Sequence, residues 1–339
     1  MKFLDQVKQA GRRLNVPLIG FPGMLLNGTT INDNLHDSTL QAETLIALHR
    51  RFPLDIVFPM MDLTVEAESL GCEVDWDTDE MPTIKAPIVR TMADAEALTV
   101  PEVGVNNRLN TYVETCSLLR KAFPEKLVWG YVLGPFSIAG RLMGMTEISI
   151  ATKLEPEIVH TVVKASSDLL SKYITAILQT GVDGVMILEP ASSLLRADDS
   201  DEFSNSYITP LVQLIKLHGK TPSLHNCGSI DHMIENLCAT GIEALHINYV
   251  CDARSAYERI PEDVVLMGSL DPSSVLLQST PDQIESATHS LLTKMADCER
   301  FIISSGCDVA PGTPLANIEA YVTAVESFDY QMDNKTSVY

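Results

Sequence analysis

The chain alternates between short apolar runs and longer segments in which apolar residues recur at helical spacing. The short runs are mostly apolar on both faces and often end at glycine or proline, a pattern typical of buried parallel strands. They predict strands within residues 16–23, 55–60, 127–134, 184–190, 221–228, 243–248, 263–272 and 300–308. The helical spacing is clearest over residues 38–52, 156–181, 281–298 and 313–328. Strands and helices therefore follow one another along most of the chain.

Eight strands joined largely by helical crossovers predict a (β/α)8 TIM barrel, here one domain over residues 1–339. An amphipathic helix is predicted within residues 1–14, before the first strand. Residues 61–126 are too long for a single crossover, so we expect an insertion after the second strand, with a hairpin-like piece at 72–89. Residues 332–339 are expected to form a frayed tail. A doubly wound sheet remains the alternative fold, because the order of strands cannot be read from the pattern.

The acidic excess of the chain limits its partners. Its 24 Lys and Arg residues stand against 45 Asp and Glu, for a net charge of −21. A surface this acidic repels phosphate backbones and anionic lipid headgroups, so neither nucleic acid nor a membrane is expected as a partner. No apolar run approaches the roughly 20 residues of a membrane span, and the N-terminus lacks the apolar stretch of a signal peptide. We therefore expect a cytoplasmic protein, with a homodimer left open.

The segment TPSLHNCGSI, residues 221–230, ends a predicted strand with a histidine and a cysteine. Successive strand residues point to opposite faces, so His225 and Cys227 share one face at the carboxyl end of that strand. Cys307 follows the last predicted strand, and barrel closure would bring it to the same rim, where barrel active sites are built. One imidazole and two thiolates are a recognised ligand set for catalytic zinc. The sequence thus predicts a Zn2+ site, and the alternative is three packed core side chains.

The sequence also supports weaker predictions for the other cysteines and for one histidine within a predicted strand. Seven cysteines are scattered without a C-x-x-C pair, so thiols or metal ligands are expected instead of disulfides. Cys251 lies three residues past a predicted strand end, which makes it a substitute metal ligand. His246 lies within a predicted strand and is expected to be packed, without a functional role.

Two carboxylates also fall at predicted strand ends. Glu189 closes the fourth strand and Asp271 closes the seventh. Each could be a fourth metal ligand, a hydrogen-bond partner of His225 or a general base, so both are candidate catalytic residues. For Asp271 the alternative is a turn residue before Pro272. For Glu189, a carboxylate at the end of an apolar strand requires a partner for its charge.

Four segments of the chain resemble the uroporphyrinogen decarboxylase superfamily. They are LTVEAESLGCEVDW (63–76), LHNCG (224–228), GSLDP (268–272) and SSGCDVAPGTPLANIEAYV (304–322). The histidine and the two cysteines are similar, more narrowly, to its methylcobamide:coenzyme M methyltransferase branch, whose zinc signature is H-x-C with a distant cysteine. The decarboxylases need no metal, carry a histidine near the position of Cys307 and grip substrate carboxylates with an N-terminal arginine motif. The KQAGRR segment at 8–13 precedes the first predicted strand, and we interpret it as a lookalike inside the N-terminal helix.

The resemblance implies a zinc-dependent methyltransferase that moves a methyl group from a methylated corrinoid to a small thiol. Coenzyme M is the expected acceptor, and the corrinoid would be carried by a separate corrinoid protein that docks over the barrel mouth. Homocysteine is a rival acceptor, and a demethylase that loads the corrinoid from a small methyl donor is a rival reaction. A uroporphyrinogen decarboxylase-like enzyme and a zinc-free accessory protein are the remaining alternatives.

Overall fold

A computed structural model describes residues 2–76, 80–104 and 107–328. Its strands are β1 (Ile56–Val57), β2 (Val74–Asp75), β3 (Thr83–Ile84), β4 (Leu127–Leu133), β5 (Gly184–Leu188), β6 (Thr221–Asn226), β7 (Ala244–Ile247), β8 (Val265–Leu270) and β9 (Phe301–Ser305). Seven of them form one sheet in the order β1-β4-β5-β6-β7-β8-β9, and each neighbouring pair is parallel. These seven strands coincide with seven of the eight predicted segments.

A segment near the amino terminus, residues 14–16, joins the last strand to the first. The N–H of Val16 donates to the carbonyl of Ile303 (2.9 Å), and the N–H of Ile303 donates to Leu14 (3.2 Å). On the other side, the N–H of Asp55 donates to the carbonyl of Asn15 (3.0 Å). The sheet therefore curls into the predicted TIM-barrel fold. The doubly wound alternative is wrong, because its strand order would reverse at a switch point, whereas here the order only rises.

The prediction of a strand at residues 16–23 is wrong, because this segment is not a regular strand in the structure. Within the described part of the chain, this region contributes one isolated parallel bridge, between Asn15 and Ile303. Pro17 has no N–H with which to continue a ladder, and the N–H of Leu18 donates to the Ser305 hydroxyl (2.9 Å) instead of a backbone carbonyl. From Phe21 to Gly23 the chain turns into a 3-10 helix. The segment fills the eighth position of the barrel without forming a strand.

The helices pack around the sheet, and the four clearest helix predictions are confirmed as α4, α10, α15 and α16. The helices are α1 (Phe3–Gln9), α2 (Met24–Asn27), α3 (Ile31–His36), α4 (Ser38–Arg51), α5 (Val65–Ser69), α6 (Met92–Glu96), α7 (Leu109–Ala122), α8 (Pro135–Met143), α9 (Met145–Leu154), α10 (Pro156–Gln179), α11 (Ala197–Ser200), α12 (Ser206–Leu217), α13 (Ile234–Ala239), α14 (Ala253–Arg259), α15 (Pro281–Lys294) and α16 (Leu315–Ser327). None of these helices is both long and apolar enough to cross a membrane.

Helix α1 lies against the amino-terminal end of the barrel. Phe3 is buried, and its ring centroid lies 4.9 Å from that of Trp129 on β4. The two arginines of the KQAGRR segment follow α1 and do not lie inside it, which corrects the sequence interpretation. Arg13 donates to the carbonyl of Phe301 (2.9 Å), at the start of β9, and Arg12 donates to the Asp55 carboxylate (2.9 Å). Both arginines are therefore engaged at the end opposite the carboxyl rim.

The long connection between β1 and β4 contains α5, the β2–β3 pair, α6 and α7. Strands β2 and β3 are antiparallel, so the hairpin-like piece expected at 72–89 is present. Its residues 77–79 lie outside the described residues, and so does the tail expected at 332–339.

Candidate metal centre

The three side chains predicted to bind zinc come together at the carboxyl end of the barrel. One ligand atom from each of His225, Cys227 and Cys307 lies within 4.8 Å of the others. His225 is buried, and the two cysteines are partly exposed. Among the described residues, these form the one group of three or more His, Cys, Asp or Glu side chains close enough to hold a metal ion. The group therefore combines a buried imidazole with two thiols that are open to a ligand.

Backbone and amide hydrogen bonds fix the end of β6. The carbonyl of His225 accepts from the N–H of Glu189 (2.8 Å), which continues the β5–β6 ladder to the rim. The Asn226 side chain donates to the Ser192 hydroxyl (3.0 Å) and accepts from the N–H of Gly228 (2.8 Å). Because Asn226 and Gly228 flank Cys227, these bonds hold the backbone on both sides of that cysteine.

A close backbone approach brings the Cys307 loop to the same place. The N–H of Gly306 donates to the carbonyl of Leu270 (2.6 Å). A Cβ on Gly306 would lie 2.7 Å from the backbone nitrogen of Tyr249, so no other residue fits there without a shift. The neighbouring Asn248 side chain donates to the carbonyl of Cys227. The loops after β6, β7 and β9 are therefore linked around the two cysteines.

A chain of hydrogen bonds behind His225 sets its tautomer. Nδ1 of His225 lies 2.8 Å from Nδ1 of His246, and Nε2 of His246 lies 2.8 Å from Oγ of Ser304. The Ser304 hydroxyl donates to the carbonyl of Val16 (2.6 Å). Ser304 must then accept from His246 Nε2–H, which leaves His246 Nδ1 as an acceptor for the Nδ1–H of His225. In the neutral form of His225, the Nε2 atom then keeps a free lone pair.

Burial keeps His246 uncharged. His246 is fully buried, and desolvation together with the neighbouring His225 lowers its pKa well below the ordinary value. A neutral His246 has one donor and one acceptor nitrogen, which is what the hydrogen-bond chain requires. A histidine ligand that donates its second nitrogen to a fixed partner is the usual arrangement at protein metal sites.

Sequence reasoning expected only packing from His246, so it missed this role. The register between β6 and β7 explains why the two histidines meet. His225 on β6 is paired with His246 on β7, and side chains paired across parallel strands point to the same face. Two histidines on neighbouring strands at one level of a barrel are close enough to interact, but the register becomes certain only once the pairing is known.

The two thiols share a hydrogen bond. The bond from the Cys307 thiol is the main cause that lowers the pKa of Cys227, to about 4, and His225 adds to the effect against the opposing influence of burial. The same bond and burial raise the pKa of Cys307. One thiol of the pair is therefore easily ionised, while the second holds its proton until a cation replaces it.

The donor set fits a zinc ion. The Nε2 atom of His225 is buried and has no hydrogen-bond partner among the described residues. A buried polar atom left unpaired costs free energy unless a ligand fills the position. One imidazole nitrogen and two thiolate sulfurs form a known three-ligand set for catalytic Zn2+, which leaves a fourth position for substrate.

Glu189 is buried close to this centre but lies outside the three-residue group. Its carboxylate accepts from the N–H groups of Phe136 (3.1 Å) and Ser137 (2.7 Å), in the first turn of α8, and from the Ser137 hydroxyl. Burial raises the pKa of Glu189 to about 7, although these hydrogen bonds oppose the rise. The partner that the sequence required for this carboxylate is therefore the amino end of α8.

Asp271 and Cys251 also lie outside the three-residue group. The Asp271 carboxylate accepts from the N–H groups of Ser273 (2.8 Å) and Ser274 (3.1 Å), the contacts of a turn residue that caps the next segment. The Cys251 sulfur lies 3.7 Å from the carbonyl of Gly228, and burial raises the pKa of its thiol. These contacts match the turn alternative for Asp271 and a packed role for Cys251.

Comparison with known proteins assigns the chain to a family. The family described as Uroporphyrinogen decarboxylase (URO-D) matches residues 6–328. Methylated-thiol–coenzyme M methyltransferase of Methanosarcina mazei is 27% identical, over 85% of this chain and 77% of that protein. Methylcobamide:CoM methyltransferase MtbA of Methanosarcina acetivorans is 25% identical, over 87% and 86%.

A solved structure of a methyltransferase from Methanosarcina mazei has the same fold. It aligns with a TM-score of 0.85 over 95% of this chain and 96% of that chain, at 21% identity. The resemblance predicted from the four sequence segments is confirmed by these matches. The chain belongs to the uroporphyrinogen decarboxylase family.

Proposed function

We propose that the protein is a zinc-dependent methyltransferase that moves a methyl group from a methylated corrinoid to the sulfur of a small thiol. The observation that carries this proposal is the convergence of His225, Cys227 and Cys307 within 4.8 Å. The names of two similar proteins, which specify methyl transfer and coenzyme M, support it further. Coenzyme M is accordingly the proposed acceptor, and homocysteine is the alternative.

The chemistry needed is activation of a sulfur nucleophile. A free thiol has a pKa of about 8.5 and is a poor nucleophile while protonated. A bound zinc ion would supply the positive charge that removes this proton. The protein presents the Nε2 atom of His225, which has no partner among the described residues, and two cysteine sulfurs whose negative charges would balance a divalent cation. Leu188, buried beside His225 on the neighbouring strand, helps to keep water from the imidazole.

The methyl donor is proposed to be a corrinoid on a separate corrinoid protein that docks over the barrel mouth. His225 lies near the end of β6, and the two cysteines follow β6 and β9 at the carboxyl rim, where both are partly exposed. A donor that approaches this rim reaches the sulfurs directly, whereas α1 covers the other end through Phe3. A demethylase that loads the corrinoid from a small donor would use the same rim, and the acceptor assay separates the two reactions.

Decarboxylation of a porphyrinogen is less well supported. Such a substrate carries many carboxylates and favours a basic cleft, whereas this chain has a net charge of −21. Arg12 and Arg13, the residues of the arginine-motif lookalike, are engaged at the opposite end of the barrel by Asp55 and by backbone carbonyls. They cannot grip a substrate at the rim in this arrangement.

Metal analysis followed by a methyl-transfer assay tests the proposal. Purified protein should contain about one zinc per chain, and Cys307→Ala should lose it. With methylcobalamin as donor, the zinc protein should methylate coenzyme M or homocysteine, and Cys307→Ala should not. Cys116→Ala, which alters a buried cysteine on α7, is the matched control and should keep both metal and activity.

Two results would contradict the proposal. Full zinc content in Cys307→Ala would remove the three-ligand site. Zinc-loaded protein that transfers no methyl group to either thiol, but does load free corrinoid from small methyl donors, would favour the demethylase.

A further inference from the structure

Tyr131 points into the barrel from β4. On β1 and β4, Ile56 is paired with Leu127 and Val57 with Val128, so Phe58 and Trp129 come next and share one face with Tyr131. The rings of Phe58 and Tyr131 are stacked, with centroids 4.5 Å apart and planes within 5°. Such stacking holds the phenol in one orientation. The side chain is therefore a fixed part of the barrel interior.

The register also relates Tyr131 to the metal ligands. Tyr131 is paired with Met186, and Met186 with Ser223, which lies two residues before His225 on β6. Residues two apart on a strand face the same way, so Tyr131 and His225 both project into the interior of the barrel. Tyr131 lies about one layer of side chains below the rim that carries the two cysteines.

The Tyr131 hydroxyl lacks the partner that a buried phenol normally has. Tyr131 is 7% exposed, and within the described parts of the chain its hydroxyl makes no hydrogen bond. Burial raises the pKa of the Tyr131 hydroxyl well above its ordinary value, and Asp308 and Cys307, which lie near the hydroxyl, add to the rise. It is thus a protonated donor without an acceptor among the described residues, in the vicinity of the predicted ligand Cys307. Tyr112, by contrast, is buried and donates to Asp62 at 2.9 Å.

We propose that the Tyr131 hydroxyl binds the substrate, by donating a hydrogen bond to the sulfur of the thiol that occupies the site beside Cys307. The inference rests on the proposed function, because it takes a thiol as the acceptor substrate. A thiolate sulfur in the barrel interior carries negative charge away from water, and a hydroxyl without a partner among the described residues can donate a hydrogen bond that stabilises it. The phenol stays protonated throughout, so it contributes a hydrogen bond and transfers no proton.

Removing this donor should weaken thiol binding specifically. Hydrogen bonds to charged groups are strong enough that their loss weakens binding by about tenfold to a hundredfold. Tyr131→Phe removes the hydroxyl and keeps the ring that stacks on Phe58. The substitution breaks no hydrogen bond to the described residues, so the variant should fold with zinc content and thermal stability equal to those of the wild type or higher.

Isothermal titration calorimetry on zinc-loaded protein, without any methyl donor, measures the effect. The titrants are coenzyme M, homocysteine and ethanesulfonate, which is coenzyme M without its thiol. For whichever thiol binds the wild type, Tyr131→Phe should raise Kd at least about tenfold and shift the pH midpoint of thiol binding upward, because the thiolate loses a stabilising donor. Any ethanesulfonate binding should be unchanged. Tyr321→Phe is the control, since that hydroxyl donates to Asn15 (2.7 Å) in a buried contact on α16; it should lose stability and keep its thiol affinity.

The outcomes separate the two proposals. Unchanged thiol affinity and an unchanged pH midpoint in Tyr131→Phe, with the wild type binding thiol normally, would overturn the role of Tyr131 alone. An equal loss of ethanesulfonate and thiol binding would also overturn it, since the effect would then be on pocket shape. If neither thiol binds the zinc-loaded wild type, the proposed function fails and this inference fails with it.

Discussion

His225 and His246 face each other across neighbouring strands, with their Nδ1 atoms 2.8 Å apart. The bond continues through Ser304 to the carbonyl of Val16, so the segment that fills the eighth barrel position helps to orient a residue on β6. The irregular structure at that position therefore contributes to the site. The carbonyl of Val16 is not part of a strand ladder, so it can accept the hydrogen bond from the Ser304 hydroxyl.

His246→Ala should weaken zinc binding without removing a ligand. The imidazole of His225 would lose the partner that fixes its tautomer, and loss of such partners typically costs about 10-fold to 100-fold in metal affinity. Competition with a zinc chelator measures the change, and free imidazole should restore part of the affinity. His218→Ala, in which an exposed histidine at the end of α12 is replaced, is the matched control. Equal chelator competition in both variants would contradict the orienting role.

Gly228→Ala should displace the loop that carries Cys227. A Cβ at this position would clash with the Ser193 side chain, so either that side chain or the cysteine loop must move. Overpacking of this kind costs about 1–3 kcal/mol, and the shift should also lower zinc affinity. Denaturant unfolding and zinc titration check both effects. Gly312→Ala, where a Cβ meets no atom within 4 Å, should change neither.

The same prediction has an internal check. If the Ser193 clash is the cause, the double variant Gly228→Ala/Ser193→Gly should recover most of the lost stability and affinity, because the two sites interact directly. Losses that simply add would show that the alanine acts in another way.

The sequence predicted the ligand side chains better than their support. Alternation along β6 is enough to put His225 and Cys227 on one face, and barrel closure is enough to bring Cys307 to the same rim. The role of His246 depends on the register between β6 and β7, which the sequence does not contain. Gly306 likewise looks like an ordinary turn residue until the backbone of Tyr249 is seen beside it.

The barrel itself followed from the pattern, except at its first strand. Apolar periodicity identifies a buried segment, but a strand also needs backbone donors in sequence. Pro17 interrupts those donors, so the segment is buried without becoming a strand. For Glu189 the sequence indicated that the carboxylate is buried and needs a partner. It did not identify the amino end of α8 as that partner.

Glu66 should make stability fall as the pH rises. Its Oε1 accepts from the N–H of Leu133 (2.8 Å), while Oε2 is buried without a partner among the described residues. Burial raises the pKa of Glu66 from 4.5 to about 7. The folded protein therefore holds a proton that the unfolded chain releases above pH 4.5, so the stabilisation is complete below pH 4.5 and is lost as the pH rises through 7.

Glu66→Gln should remove that dependence, because glutamine does not titrate. Relative to the variant, the wild type should lose about 3 kcal/mol of unfolding free energy between pH 4.5 and pH 7, from roughly 1.4 kcal/mol per pKa unit. Urea unfolding at pH 5, 6, 7 and 8 measures the difference. Glu43→Gln, at an exposed position on α4, controls for the loss of one carboxylate. Parallel curves for wild type and Glu66→Gln would show that Glu66 is ionised at all these values.

Arg108→Ala should be severely destabilising, because Arg108 neutralises a fully buried carboxylate. The guanidinium donates to Asp62 (2.5 Å) and Glu68 (2.6 Å), and the Asp62 side chain is 0% exposed. Removing one partner of a buried pair leaves an uncompensated charge and costs about 3–5 kcal/mol. Arg51→Ala, which breaks an exposed pair with Glu319, should cost less than about 1 kcal/mol.

Adding Asp62→Asn to Arg108→Ala should restore part of the stability, since the uncompensated charge is then gone and the amide oxygen can still accept from either Tyr112 or Thr64. Denaturant unfolding of both single variants and the double variant gives the coupling between the two sites. Purely additive losses would mean that Arg108 stabilises the fold through its other contacts, with Glu68 and with Trp76, whose ring centroid lies 4.5 Å away, and not through the charge of Asp62. A positive coupling would show that the ion pairs between Arg108 and the acidic residues after β1 connect α5 to α7.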